Sequence, residues 1–123
     1  MFLGDLVNYD LNQINVGTIV QAAREGDQIA MNFLERAGRY LGIAAGNILG
    51  VISPQKVIFG GSVSAAGDLL LAPILQMVEE RVHVRPVEKV QFVFAELGID
   101  GGLVGAALWA KRRCEERGET SRI

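Results

Sequence analysis

The 123-residue sequence predicts an α/β fold around a small parallel sheet, in the order α-α-β-α-β-α, and three observations carry that prediction. Val57-Ile58-Phe59 is a run of branched and aromatic residues that stops at Gly60-Gly61, as a strand covered on both faces does before a tight turn. Lys89 to Ala95 is a second run of this kind, apolar at alternate positions and at its last few consecutive ones. Between the two lies a helical stretch, and two strands joined by a helix form the unit of a parallel sheet.

Taken in order, residues 1–17 have no clear period and several Asn and Asp residues, so an irregular lead-in is expected there. Thr18 offers an N-cap, Gln21 completes a capping box three residues on, and Gly26 stops this short helix. Asp27 caps the next helix. Ile29, Phe33, Ala37, Tyr40, Leu41, Ala44, Ile48 and Val51 recur along it at helical spacing until Ser53-Pro54 ends it. Gly38, Gly42, Gly46 and Gly50 fall on every fourth residue of the same helix, and each costs about 1 kcal/mol relative to alanine. Such a stripe is expected to let another backbone pack very close; the alternative is that it clears space for a ligand or for the matching helix of a second subunit. Asn47, among apolar neighbours, is expected to tie down a nearby loop rather than to touch a ligand.

The strand Lys56 to Phe59 follows, then the glycine loop, then a helix that starts at Asp68 or at Pro73 and runs to Val82. Pro73 fits best in a first turn. After the second strand, Leu97 to Gly102 leads into a last helix, whose small early residues Gly102, Gly105, Ala106 and Ala107 would let it lie flush on the sheet. Residues 18–117 are therefore read as the folded unit and 118–123 as a tail. Two parallel strands alone make a poor sheet with bare edges, so the chain reads as part of a larger architecture that self-associates or is completed by a missing half.

Composition narrows the function classes. The net charge is −2 and the pI near 5.4, which gives no general attraction to nucleic acid or anionic membrane. Lys111-Arg112-Arg113 is diluted by Glu115, Glu116 and Glu119 into a solvated helix end. The lone Cys114 excludes an internal disulfide and a cysteine metal cluster, and fits a reducing cytoplasm. The first residues lack the pattern of a signal peptide, and Tyr40 to Ile52 falls short of the roughly 20 residues that a bilayer requires, so a soluble chain is expected.

The candidate site is the loop at the end of the first strand. Gly60 and Gly61 have no Cβ and let a flat base, ribose or phosphate approach the main chain, while Ser62 and Ser64 bring hydroxyls next to a helix start. Gly60, Gly61, Ser62 and Ser64 are the candidate cofactor-binding residues. The plainer reading is a tight turn with no ligand, since neither G-x-x-x-x-G-K-[ST] nor G-x-G-x-x-G is present. His83, the one histidine, reads as a surface residue beyond a helix end.

Leu41-Gly42-Ile43-Ala44-Ala45-Gly46-Asn47-Ile48, the Ser53-Pro54 break, Val57 to Ser64 with Gly67-Asp68-Leu69-Leu70, and Leu97 to Ala107 together resemble the C-terminal part of the ROK family. Ala22-Ala23-Arg24-Glu25-Gly26-Asp27 is similar to that family's lead-in, and the resemblance covers roughly Thr18 to Ala110. It implies part of a ribonuclease-H-like, actin-like ATPase domain, shared by glucokinase-like sugar kinases and sugar-responsive repressors. It also implies that Gly60, Gly61, Ser62 and Ser64 lie beside the adenosine of ATP, with Mg accompanying ATP in the parent protein. Ser62 stands where the family often has a third glycine. Asp100-Gly101-Gly102 would lie near the same cleft, structural first.

The family's N-terminal phosphate loop, catalytic aspartate, sugar-binding Glu-x-Gly-His and zinc cysteines have no match among these residues. Asp5, Asp10, Asp27, Asp68 and Asp100 all lie in the wrong local context for the base. No catalytic residue is therefore assigned, and the chain alone is not expected to catalyse. Three readings stand: the C-terminal part of an ATP-dependent hexose kinase, the corresponding part of a repressor, or a self-association module.

Overall fold

The computed structural model describes residues 2–83 and 86–118. Its elements are α1 (Leu3–Leu6), α2 (Val16–Arg24), α3 (Gln28–Ile52), β1 (Lys56–Phe59), α4 (Asp68–Arg81), β2 (Gln91–Phe94) and α5 (Gly101–Glu116), with short 3₁₀ turns at Leu11–Gln13, Ser62–Ala66, Val87–Lys89 and Gly98–Asp100. The strands pair in parallel, Lys56 beside Gln91 through Phe59 beside Phe94, with α4 between them in sequence. The predicted α/β order is thus present. No described helix is long and apolar enough to cross a membrane.

The stretch 1–17 is more ordered than its composition suggests. Val7 is buried, Leu3 and Leu6 pack against the core, and the Leu3 N–H donates to Asp27 Oδ2 at 2.6 Å. Asp27 also caps α3, its Oδ1 accepting from the N–H groups of Ile29 at 2.9 Å and Ala30 at 3.2 Å. One buried carboxylate therefore clamps α1 to the start of α3. The Leu3 N–H, then that of Ala30, hold the Asp27 carboxyl below the usual aspartate range. Above that range the stabilisation is complete; as pH falls through the lowered pKa the folded state must take up the proton, and it is lost. Far-UV circular dichroism at decreasing pH should show Asp27→Ala less stable than the parent at neutral pH and with a shallower acid dependence. Superimposable profiles would show that the clamp contributes nothing.

Helix α2 begins earlier than expected. Asn15, not Thr18, is the N-cap, and Thr18 is its partner in the capping box: Asn15 Oδ1 accepts from the Thr18 N–H and Thr18 Oγ1 from the Asn15 N–H. Gly26, at φ +97°, turns the chain beyond α2 as predicted. Helix α3 ends at Ser53, in the left-handed region, before Pro54.

The core lies between α3 and α4. The glycine stripe works at two of its four positions: a Cβ on Gly38 would lie 2.8 Å from the Leu70 carbonyl oxygen and against the Pro73 ring, and one on Gly42 would lie 2.8 Å from the Ile74 carbonyl oxygen and 2.6 Å from Met77 Cβ. Gly46 faces Val82 at ordinary distance, and Gly50 faces nothing. Later residues of α3 meet later residues of α4, so the two helices run in the same direction. Pro73 lies inside α4 and not in its first turn, and its ring fills the space that Gly38 leaves without a side chain.

The glycine stripe marks the inward face of α3, as expected of it, and of the larger apolar residues at helical spacing Leu41 packs against the core. Ala30, Leu34, Gly38, Gly42, Ala45, Gly46 and Leu49 are buried, whereas Ile29, Phe33, Ala37, Tyr40, Ala44, Ile48 and Val51 are exposed. Asn47 is exposed too, and its side chain makes no hydrogen bond among the described residues, so the expected tie to a loop is not seen there. Neither strand is covered on both faces. Val57, Phe59, Phe92 and Phe94 pack toward the helices, with Phe59 6.1 Å from Phe94 and 6.5 Å from Phe92 between ring centroids, while Ile58 on the other face is 61% exposed. Helix α5 does not lie flush on the sheet: it buries none of its residues, and a Cβ on Gly102 or Gly105 would meet nothing within 4 Å. The helical core occupies one sheet face, and the other borders an open trough whose lining includes Gly101, the first residue of α5. Lys111, Arg112 and Arg113 pair along α5 with Glu115 and Glu116, as a solvated helix end does. Of the expected tail, residues 119–123 lie outside the described residues.

Candidate functional site

Three separate stretches of chain meet around a cleft of about 630 Å³: the start of α2 (Asn15, Val16, Gly17), the loop after β1 (Gly61, Ser62, Ser64, Ala65) and the turn before α5 (Gly98, Ile99). A parallel pair explains the meeting. Both strands end on the same side, so the loops after β1 and β2 emerge together, as they do at ligand crevices of open α/β sheets.

The loop holds its shape through glycine and serine. Gly61 has φ +84° and ψ −175°, a conformation essentially restricted to glycine, and it starts the Ser62–Ala66 turn. The Gly61 carbonyl oxygen accepts from the Ser64 N–H at 3.2 Å and from Ser64 Oγ at 2.7 Å. Ser64 Oγ thus spends its proton on the loop itself and retains only acceptor capacity. Ser62 is exposed at the cleft. Arg24, at the end of α2, donates from Nη2 to the Ala65 carbonyl oxygen at 3.4 Å and ties the loop to the helix.

Of the four predicted residues, Gly61, Ser62 and Ser64 come together in the cleft lining and Gly60 does not. Gly60 sits one residue earlier, and its nearest neighbour across the sheet is the Ala95 side chain. The helix start that opens on the cleft is that of α2 and not that of the following helix α4. The first N–H groups of a helix have no acceptor within it, so Val16 and Gly17 bring donors and the positive end of the α2 dipole to the cleft. Sequence reading missed this wall, and its one available signal was the reciprocal cap at Asn15 and Thr18. Gly98, at φ +53°, and Ile99 form the third wall, immediately before the predicted Asp100-Gly101-Gly102.

Among the described residues the lining carries no Asp, Glu, Lys, Arg or His. Such a cleft offers main chain for a flat group to rest against and, at the start of α2, N–H donors for an acceptor. Among the described residues no group of three or more His, Cys, Asp or Glu side chains is placed to hold a metal.

Comparison with known proteins follows the same outline. The ROK family profile matches residues 3–113. A glucokinase of Halalkalibacterium halodurans is 35% identical over 95 residues, which are 77% of this chain and 29% of that enzyme. A xylose repressor of Caldicellulosiruptor bescii is 26% identical over 75 residues, 61% of this chain and 19% of the repressor. The crystal structure of a ROK family glucokinase from Streptomyces griseus, in complex with glucose and AMPPNP, superposes with a TM-score of 0.79 at 32% identity, over 89% of this chain and 36% of that one. The chain therefore spans about 29% of the length of the glucokinase it matches, and its α/β arrangement is part of a ribonuclease-H-like (actin-like ATPase) domain. With the family pattern running from the α1 segment into the later turns of α5, the chain belongs to the ROK family.

Proposed function

We propose that this chain is the C-terminal part of a ROK sugar kinase and supplies one wall of its nucleotide site, taking the nucleoside side of ATP. The observation that carries this reading is the cleft itself, where the bare main chain of Gly61 faces the first turn of α2. Its volume falls within the usual range for small-molecule sites. The bare main chain of the glycine loop supports the nucleoside as the group that rests against it. No carboxylate lines the cleft among the described residues, so in this reading Mg, the sugar and the base that deprotonates its hydroxyl belong to groups outside it. Phosphoryl transfer depends on positioning and charge stabilisation, and this chain contributes to the first. The single cysteine, Cys114, is exposed and free, in keeping with a cytoplasmic kinase.

Backbone amide resonances of the 123-residue chain, followed while AMPPNP is added, test the reading. Shifts are expected at Gly17, Gly61, Ser62, Ser64, Gly98 and Ile99, with a dissociation constant of about 1 mM, or roughly −4 kcal/mol. Adenosine should produce nearly the same pattern. An unchanged spectrum would overturn the nucleotide reading. The likeness to the xylose repressor supports a second reading, a regulator that has lost nucleotide use, and the unchanged spectrum is the result that reading expects.

A further inference from the structure

Asn15, Ser62 and Ser64 bring the polar side chains of the cleft lining, and hydrogen bonds within the chain account for two of them. The Asn15 amide is engaged at both ends, Oδ1 accepting from the Thr18 N–H at 3.1 Å and Nδ2 donating to the Gln13 carbonyl oxygen at 3.2 Å. Ser64 Oγ gives its proton to the Gly61 carbonyl oxygen. Ser62 Oγ, exposed at the cleft, has no hydrogen-bond partner among the described residues. Nor does the turn need it, since the Ser62–Ala66 turn is tied at its two ends by the N–H groups of Ser64 and Gly67, which donate to the carbonyl oxygens of Gly61 and Ser64.

Resting on the nucleotide reading above, we infer that Ser62 is the residue by which the cleft recognises the ribose, its hydroxyl donating to a ribose hydroxyl oxygen. The other walls suit other parts of the nucleotide. Ile99, 72% exposed, and the bare main chain of Gly61 offer apolar and flat surface for the base. Val16 and Gly17 offer main-chain N–H groups, which serve acceptors only. A sugar hydroxyl both donates and accepts, as a serine hydroxyl does. Ser62, with its proton uncommitted, and Ser64, with acceptor capacity alone, stand two residues apart as a donor and an acceptor for neighbouring hydroxyls. Ser62 also directly follows Gly61, and consecutive Cα atoms are about 3.8 Å apart, so a base resting on Gly61 brings its sugar within reach of the next residue.

Titration of the 123-residue chain with ATP, 2′-deoxy-ATP and 3′-deoxy-ATP, followed by backbone amide resonances, tests this. One of the deoxy nucleotides is expected to bind about fivefold more weakly than ATP, as the loss of one neutral hydrogen bond would give. Ser62→Ala should weaken ATP by the same factor and leave the affinity for that deoxy nucleotide unchanged, so that the preference disappears. Ser62→Thr, which keeps the hydroxyl, should retain it. A merely structural Ser62 would lower all three affinities together in Ser62→Ala, and that result would overturn the inference. Equal binding of the three nucleotides by the parent chain would also overturn it, while leaving the nucleotide reading in place. Tighter ATP binding by Ser62→Gly would do so as well, by showing that the side chain only crowds the ligand. No binding of any of the three would overturn the nucleotide reading and this inference with it.

Discussion

Replacing Gly38 or Gly42 by valine is expected to remove much of the stability of this chain, by about 3 kcal/mol or more each, whereas Gly50→Ala stabilises it by about 1 kcal/mol. The contrast follows from what each Cβ would meet. At Gly38 and Gly42 it falls 2.8 Å from a carbonyl oxygen of α4, and backbone held in a helix has no rotamer by which to move aside. Relief would require α3 and α4 to separate, which exposes Leu70, Ile74 and Val78, side chains now at most 1% exposed. At Gly50 there is no neighbour, so alanine keeps only its advantage in helix propensity. Gly46→Ala falls between the two, since its Cβ would meet Val82 at an ordinary 3.5 Å. Urea unfolding followed by circular dichroism would give this order. A Gly38→Val midpoint equal to that of the parent would mean that the helices are not in close contact.

The same four glycines show that the helix ends were legible from local signals, while its inward side was signalled by the glycine stripe and not by the large apolar residues. Asp27 and Ser53-Pro54 are local signals, and they mark both ends of α3 correctly. Which side faces inward is not local. Ile29, Phe33, Tyr40, Ile48 and Val51 have the period and size of a core stripe, and hydrophobic periodicity favours them over a row of glycines and alanines. The inward side is instead the one that permits closest approach to α4, and a missing side chain leaves no mark on a hydropathy pattern. Strand β1 was legible from its branched and aromatic residues, but its expected cover was not met, because a strand buried on both faces needs two layers and this chain supplies one.

The candidate site divides in the same way. Gly61, Ser62 and Ser64 were readable because the strand, the glycines and the turn are adjacent in sequence. The α2 wall lies more than 40 residues upstream, and only the pairing of β1 with β2 and the packing of α2 on the Ser62–Ala66 turn bring it there. Reading Thr18 as the cap also moved the helix start, and with it the open N–H groups, away from Val16 and Gly17. Thr18 takes part in the capping box from the other side, and sequence alone does not distinguish the two partners.

Gly61→Val is expected to reduce AMPPNP affinity at least tenfold while leaving the global fold intact. At φ +84° and ψ −175° a residue with a Cβ pays about 1–3 kcal/mol, and tenfold in affinity corresponds to about 1.4 kcal/mol. The loop can relieve that strain by turning Gly61 toward an ordinary extended conformation, but this swings its carbonyl oxygen off Ser64 and undoes the Ser62–Ala66 turn. Gly61 is exposed, with nothing within 4 Å of the Cβ position, so the core has no steric reason to respond. Ser64→Ala separates the parts of the argument. It removes the Oγ donation to Gly61 but leaves the Ser64 N–H bond in place, so a smaller loss, about threefold, is expected for one neutral hydrogen bond. Wild-type affinity in Gly61→Val would mean that the nucleotide does not depend on this turn. A loss in Ser64→Ala equal to that in Gly61→Val would shift the role from bare main chain to the serine hydroxyl.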